Sequence, residues 1–441
     1  MNYRYVSILA KVLVCFWLMI STFTQALAQK SEPQSFLQAS SKDMLWWKNA
    51  RFGLFIHWGP VSLKGTEISW SRGGERRGQG GTGEIPVEVY DNLYKEFNPV
   101  KFNAGEWVKI AKDAGMKYLV FTSKHHDGFS MFDSGLTDYK ITNSPFKRDV
   151  VKELADACHR AGIRLGFYYS PVDWHHTDYR TENHARYIQY MHGQIRELCS
   201  RYGQVDILWF DGLQVHPMSG SGGETTYDPA WAKDWDSANL FREIRTLQPH
   251  IIINNRCGLK GDFDTPEQHI GFYQPDRSWE SCITICKQWA WKPNDTMKSL
   301  KECIRTLVMC AGGDGNLLLN VGPMPDGEIE PRQVARLKEM GAWLKQYGRA
   351  IYSTRGGPFP PGEWGASTSR GATAYIHILN WKSDTVLLPP SSLKLVSHTV
   401  LTGGKAMVKQ TAQGIEISVP AGERNEIDTI VELRFNRRLI F

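Results

Sequence analysis

Apolar positions recur along the chain in two alternating rhythms. Stretches such as "NAGEWVKIAKDAG" and "DVVKELADACHRAG" space them three and four apart, as in a helix with one buried face. Asn103 with Glu106 three residues on predicts a capping box at the first, and Gly115 a stop. The same rhythm returns in "SSKDMLWWKNA", "ARYIQYMHGQIRELCSRYG", "SANLFREIRTLQ", "TMKSLKECIRTLVMCAG" and "EPRQVARLKEMGAWLKQYG". Between them lie short apolar runs that read as strands: "FGLFIHW", "KYLVFTSK", "IRLGFYYS", "VDILWFD", "HIIINNR" and "GNLLLNVGP". Repeated strand-helix units predict a parallel sheet with crossover helices. Over about 310 residues, a closed (β/α)8-like barrel is the expected form, in the α/β class. Residues 258–290 lack the helical spacing, so one or more units of that barrel are expected to be irregular.

Beyond "STRGGPFPPGEWG" the rhythm becomes that of short strands between turns: "ATAYIHILNW", "DTVLLPP", "KLVSHTVLTGG", "KAMVKQTAQG", "IEISVP" and "DTIVELRF". This predicts a C-terminal β-sandwich over 355–441, behind a barrel domain over 29–354. The first 28 residues read as a removable leader. Arg4 and Lys11 precede the apolar "VLVCFWLMISTF", and Ala26 and Ala28 offer a small-x-small cleavage site, with the cut after Ala28. That run is too short to span a bilayer. The expected compartment is secreted or periplasmic, lysosomal in a eukaryote, with no membrane contact after cleavage.

Composition narrows the chemistry. Loss of the leader removes two cations and no acid from a net charge of +6, and no basic run exceeds the short piece around Arg76 and Arg77. No nucleic-acid partner is expected. Seven cysteines remain, an odd number, without a CxxC pair, which argues against both a disulfide framework and a structural zinc site. No GxGxxG follows the first strand and no GxSxG elbow occurs, so neither a dinucleotide site nor a serine hydrolase has local support. No metal and no cofactor are expected.

The polar residues collect where the apolar runs stop. The first run ends on His57 and Trp58, and the second on His125, His126 and Asp127. The third ends on Tyr168, Tyr169, Asp173 and Trp174, the fourth on Asp211, and the fifth on Asn254, Asn255 and Arg256. In a barrel these are the C-terminal strand ends, where function resides. Each has a plainer reading: Asp211-Gly212 is ordinary turn chemistry, the histidine pair could cap a helix, and tryptophan packs well in any core. A convergent His/Asp metal site is a further rival, though no HExxH spacing occurs. Tryptophan beside Asp, Glu and His suits a sugar, with aromatic faces for C–H groups and polar atoms for hydroxyls. Glycoside hydrolysis needs two carboxylates. Asp211 is one, and the other is Glu267 or Glu280, with Asp264 and Asp262 behind them.

Read in order, "RFGLFIHWGPVS", "TSKHHDGFSMFDS", "GFYYSPVDW", "WFDG", "DFDTPEQH", "SWESC" and "GNLLLNVGPMPDGEI" resemble the α-L-fucosidases of glycoside hydrolase family 29, colinearly from Trp46 to Arg355. The resemblance implies a retaining mechanism in which Asp211, of "WFDG", is the nucleophile. Glu267, of the "DFxTxE" phrase, is then the acid/base, with the loop 214–231 accounting for the wide gap between the two. It also implies that His57, His125, His126, Tyr169 and Arg256 hold the sugar. Glu67 and Trp70 of "GTEISW" match an acidic and an aromatic position, although the family's simpler "SEW" is here interrupted. Trp279, with Glu280, is expected on the far wall. The glycine-rich "SRGGERRGQGGTG" after Trp70 reads as a mobile loop that selects the leaving group, or as a surface insertion. The implied activity is removal of terminal α-L-fucose from a fucosylated oligosaccharide or glycoconjugate. A related retaining glycosidase acting on α-L-galactosides and a non-catalytic fucose-binding protein are the alternatives, and the oligomeric state is left open.

Overall fold

A computed structural model describes residues 36–212 and 229–439. The expected leader, its cleavage point and most of the loop 214–231 lie outside the described residues. The helices start where side chains can satisfy their first free N–H groups. Helix α1 (Ser41–Ala50) is capped by the Ser40 hydroxyl, which accepts from Asp43 N. Helix α2 (Ala104–Asp113) is capped by Asn103, which accepts from Glu106 N. Helix α3 (Val150–Ala161) begins at Asp149 and stops at Gly162, whose φ is 69°. Helices α4 (His184–Arg201), α5 (Ser237–Leu247), α6 (Leu300–Gly312) and α7 (Pro331–Tyr347) follow, with a full Ser299–Glu302 capping box at α6.

Seven strands form one curled, wholly parallel sheet. They are β1 (Phe52–Ile56), β2 (Tyr118–Lys124), β3 (Arg164–Tyr169), β4 (Ile207–Phe210), β5 (Ile252–Ile253), β6 (Glu280–Thr284) and β7 (Asn316–Val321). Their order across the sheet is β5-β4-β3-β2-β1-β7-β6. Between the two edges, isolated parallel bridges Asn254–Phe263, Asp264–Trp279 and Glu267–Cys282 stand where a closed barrel calls for a further strand. The run "HIIINNR" yields only a two-residue strand because a side chain replaces the ladder. The Asn254 amide accepts from Phe210 N and donates to Phe210 O, both at 2.8 Å, and so ends the pairing with β4.

Alternation along each strand divides the core. Leu54, Phe121, Phe167, Leu208 and Leu319 pack outward in one cluster with apolar residues of the helices. Phe55, Tyr118, Tyr168, Trp209 and Leu318 point into the curl, whose N-terminal end is filled by Trp47 of α1. Each such side chain contributes roughly 1.5–3 kcal/mol by leaving water. Gly53 is required here, since a Cβ on it would stand 2.2 Å from the Tyr118 ring.

The C-terminal region is antiparallel. A five-stranded sheet has the order β12-β15-β10-β9-β8, from β8 (Arg355–Gly356), β9 (Gly365–Arg370), β10 (Thr373–Ile378), β12 (Leu395–Val400) and β15 (Thr429–Phe435). A three-stranded sheet has the order β11-β14-β13, from β11 (Thr385–Leu388), β13 (Met407–Gln410) and β14 (Ile415–Ser418). Ile376 and Val431 of the larger sheet share one buried cluster with Leu388 and Ile417 of the smaller. Arg305 of α6 ties this region to the first by donating to the carbonyls of Ile427 and Glu426. All seven cysteines among the described residues are free and buried. No helix among the described residues is long and apolar enough to cross a membrane.

Candidate active site

A cavity of about 240 Å³ opens at the C-terminal end of the curled sheet, lined by residues that follow or end its strands. Asp211 continues the inward series Ile207, Trp209 and so turns into it. Its backbone stays in register through Asp211 N to Tyr169 O, 3.2 Å, and the chain then crosses to the next strand end through Gly212 N to Arg256 O, 2.9 Å. A side chain at Gly212 would meet the Trp235 ring at 2.4 Å, so only glycine permits that crossing. One Asp211 oxygen accepts from Arg256 Nη1 at 2.9 Å and the other from the Tyr168 hydroxyl at 2.7 Å.

Arg256 Nη1 also donates to Glu267 Oε2 at 2.8 Å, so one guanidinium nitrogen joins both carboxylates. Thr265 fixes that guanidinium, with Oγ1 accepting from Nε and the carbonyl from Nη2, both at 2.8 Å. The group lies 4.9 Å from the Trp209 ring, which floors the cavity. Burial works against the Arg256 charge, but Glu267 and Asp211 outweigh it and hold the guanidinium protonated. Glu267 reaches its place through the bridge to Cys282 of β6. Its side chain is 36% exposed against 19% for Asp211, so it is the carboxylate nearer solvent.

Three histidines line the same cavity, and each has its Nδ1 engaged. His57 Nδ1 lies 2.7 Å from Asn320 Oδ1, His125 Nδ1 lies 2.6 Å from Ser69 Oγ, and His126 Nδ1 lies 2.6 Å from Ser170 Oγ. The Asn320 amide donates to Trp289 O, which turns its oxygen to His57. His57 Nδ1 therefore carries the proton and Nε2 the lone pair, a tautomer assigned from the network. Burial pushes the pKa of His57 and of His126 down to about 3 and that of His125 well below its usual 6.5, aided at His126 by Lys124. The rings are thus neutral at neutral pH and act as hydrogen-bonding groups. His125, His126 and Asp211 bring ligand-capable atoms within 4.8 Å of one another. A cation there would sit against the Arg256 guanidinium on Asp211, an electrostatically poor place for one.

Of the expected residues, His57, Trp70, His125, His126, Asp211, Arg256 and Glu267 line this cavity. Tyr169 does not: it points outward, and its hydroxyl donates to Gln194 Oε1 of α4 at 2.8 Å. Tyr168, one residue earlier and on the inner face, takes its place. Glu67 faces the loop after β6, accepting from the N–H groups of Trp289 and Ala290 at 2.9 and 3.0 Å, and so carries the wall that presents Trp289. Trp279 and Glu280 fall at the N-terminal end of β6, away from the cavity. Trp279 is buried, with its indole N–H on Gly313 O, and Glu280 is bonded to Tyr118 and Trp209 beneath the floor. The resemblance alone places both on the far wall, and "ESCIT" carries no strand signal that would show them standing at the start of β6. Phe55, Trp209, Gln79, Cys282 and Trp289 are further lining residues. Alternation from His57 and Asp211 would have found Phe55 and Trp209, whereas Trp289 lies in irregular chain with no such signal. The glycine-rich segment brings Gln79 to the cavity, tied down by Arg77, which donates to the carbonyls of His176, Thr177 and Tyr179.

Residues 18–349 match the sequence model of the family described as alpha-L-fucosidase. The plasma alpha-L-fucosidase of Homo sapiens is 31% identical over 429 residues, covering 88% of this chain and 85% of that protein. Alpha-L-fucosidase isoenzyme 1 from Paenibacillus thiaminolyticus superimposes with a TM-score of 0.77 at 35% identity, over 90% of this chain and 99% of that one. A GH29 alpha-L-fucosidase from Bacteroides thetaiotaomicron, trapped as a covalent intermediate with 2-fluoro-fucosyl fluoride, gives 0.76 at 27% identity, over 90% and 97%. On its sequence and its fold alike, the chain belongs to the α-L-fucosidase family of glycoside hydrolases.

Proposed function

We propose that this protein removes terminal α-L-fucose from fucosylated glycans with retention of configuration, through a covalent fucosyl-aspartate. The observation that carries this reading is the single Arg256 nitrogen shared by Asp211 and Glu267 at 2.9 and 2.8 Å. Two oxygens so held cannot lie farther apart than those distances together. Carboxylates joined through one nitrogen in this way support the ~5–5.5 Å spacing of retaining pairs over the ~6.5–9.5 Å of inverting ones.

In this mechanism Asp211, oriented by Arg256 and the Tyr168 hydroxyl, attacks the anomeric carbon. Glu267, the more exposed carboxylate, protonates the departing glycosidic oxygen and then takes the proton of the water that releases fucose. The three neutral histidines bind hydroxyls, and Trp70 and Trp289 offer aromatic faces. A cavity of about 240 Å³ is smaller than the ~300–1,000 Å³ of drug-sized sites, which supports an exo-acting enzyme taking one sugar at a time. The segment 263–267 serves as the eighth stave of a barrel, the two antiparallel sheets form a sandwich, and the leader directs export.

The test is release of 4-nitrophenol from its α-L-fucoside by the mature chain, run beside Asp211→Gly. Release that vanishes in the variant supports the reading. Equal release from both overturns the nucleophile, and no release or fucose binding by the unmodified chain overturns the substrate.

A further inference from the structure

Ser69 lies within "GTEISW", between the two positions expected to touch the sugar, and the proposed mechanism gives it no task. It is fully buried, and its φ of 58° is a left-handed conformation that any side chain adopts at a cost. Glycine would take that conformation freely, so what distinguishes serine here is its hydroxyl. The Ser69 N–H donates to the Tyr90 hydroxyl at 2.7 Å, and Tyr90 in turn donates to Asp127 Oδ2 at 2.7 Å. The Ser69 Oγ accepts from Asp127 N at 2.9 Å and lies 2.6 Å from His125 Nδ1.

A serine hydroxyl has one proton to give. Asp127 N–H occupies a lone pair of Oγ, and two acceptors stand near the hydroxyl proton: the Asp127 carboxylate, which already accepts from the Tyr90 hydroxyl and from Phe129 N, and His125 Nδ1 at 2.6 Å, the one in short hydrogen-bond contact. His125 is buried among His57, His126 and Lys124, which keeps its ring neutral, with a single N–H. We propose that Ser69 is a positioning residue: by donating to His125 Nδ1 it fixes the Nε2–H tautomer and makes His125 the donor of the sugar pocket.

This rests on reading the cavity as that pocket. His57 carries the opposite tautomer, with its lone pair on Nε2, and the two rings stand 5.6 Å apart between centroids. A sugar hydroxyl between them accepts from one and donates to the other, so the pair binds hydroxyl but not ether oxygen. His125 also stacks on Tyr168 at 5.2 Å with the planes 4° apart, and Tyr168 holds the nucleophile. An error in the ring at position 125 is therefore felt at both the sugar and Asp211.

The experiment is a long-range 1H–15N correlation on the full chain labelled with [15N]histidine, with His125 assigned by His125→Gln, in the unmodified protein and in Ser69→Gly. Glycine relieves the left-handed backbone while removing the hydroxyl, so the variant is expected to fold with a melting temperature within a few degrees of the parent. The Nε2–H signature of His125 is expected in the parent and is lost or mixed in the variant. kcat/KM on an aryl α-L-fucoside then falls about tenfold, the loss of one oriented hydrogen bond. An Nδ1–H tautomer in the parent, or an unchanged tautomer in Ser69→Gly whatever its activity, overturns the proposal. If the parent hydrolyses no fucoside, the functional reading fails, and the tautomer measurement still decides whether Ser69 sets the ring. Ser69→Ala, which keeps the backbone strain, is expected to show the same tautomer change with a lower melting temperature than Ser69→Gly.

Discussion

The two ends of the curled sheet each bury a carboxylate, and they treat it in opposite ways. At the C-terminal end, Asp211 has a cation on one oxygen and a phenol on the other, and its side chain remains 19% exposed. At the N-terminal end, Glu280 is fully buried among neutral groups, accepting from the Tyr118 hydroxyl and the Trp209 indole with the Trp47 indole beside it. Burial without a counter-charge raises the Glu280 pKa to about 7. Both side chains point into the curl, and the indole of Trp209 lies between them, lining the cavity and bonding Glu280. What separates them is position along the strand. A residue that follows a parallel strand meets the loops, whereas one that begins a strand meets the plug of Trp47 and α1. Acid strength alone would have favoured Glu280 as the acid/base; access favours Glu267.

The largest effects should come from the exposed end. Asp211→Gly is expected to lower kcat by at least about 10³-fold on 4-nitrophenyl α-L-fucoside. Azide entering the vacated face should then yield the β-fucosyl azide, which NMR of the product identifies. Glu267→Ala is expected to cost about 10²–10⁴-fold on a poor leaving group and much less on an activated one. Here the covalent intermediate still forms, so azide should give the α-fucosyl azide instead. An α product from the Asp211 variant would make Asp211 the acid/base, and rescue in Glu280→Ala but not in Glu267→Ala would move the acid/base to the closed end.

The contrast also marks how much of the molecule is legible in the chain by itself. Asp211, Glu267, Arg256 and the three histidines are legible because each follows a strong apolar run or sits in a distinctive phrase. The helices are legible through Asn103, Asp149 and Gly162, which fix boundaries by local hydrogen bonding and backbone freedom. Strand β6 is not, since Glu280, Ser281 and Thr284 interrupt its apolar pattern and its pairing with β7 is set by distant chain. Nor can "GFYY" reveal which tyrosine faces inward, because both faces of a central parallel strand are apolar. Its register comes from Tyr168 pairing with Trp209 across the sheet, a fact of the assembled sheet and not of the segment.

That pair of neighbours makes a smaller and cleaner test. Tyr168→Phe removes a hydrogen bond to a carboxylate and is expected to lower kcat/KM by about 10–100-fold with little change in melting temperature. Tyr169→Phe removes a neutral bond to Gln194 on the opposite face and is expected to cost about 1 kcal/mol of stability with kcat/KM kept within about twofold. Similar activity losses in both would mean that the inner and outer faces are not functionally distinct.

The smallest effect belongs to the closed end and appears as stability against pH. In the unfolded chain Glu280 titrates near the ordinary 4.5, and in the folded chain near 7. Between those values the folded state holds a proton that the unfolded state has lost, so rising pH favours unfolding. Above about 7 the carboxylate must ionise in place beneath Trp209, and the full cost is present. Glu280→Gln removes this titration while keeping the shape and one acceptor oxygen. Its melting temperature should exceed that of the parent by a few degrees at pH 8, with the advantage shrinking toward pH 5. Because Trp209 also floors the cavity, a proton lost from Glu280 places a charge under the sugar. The variant should accordingly keep its kcat/KM at pH 5 and fall off less steeply above pH 7. A melting-temperature difference that is the same at both pH values would show that Glu280 does not titrate in that window, and that the closed end is merely packed.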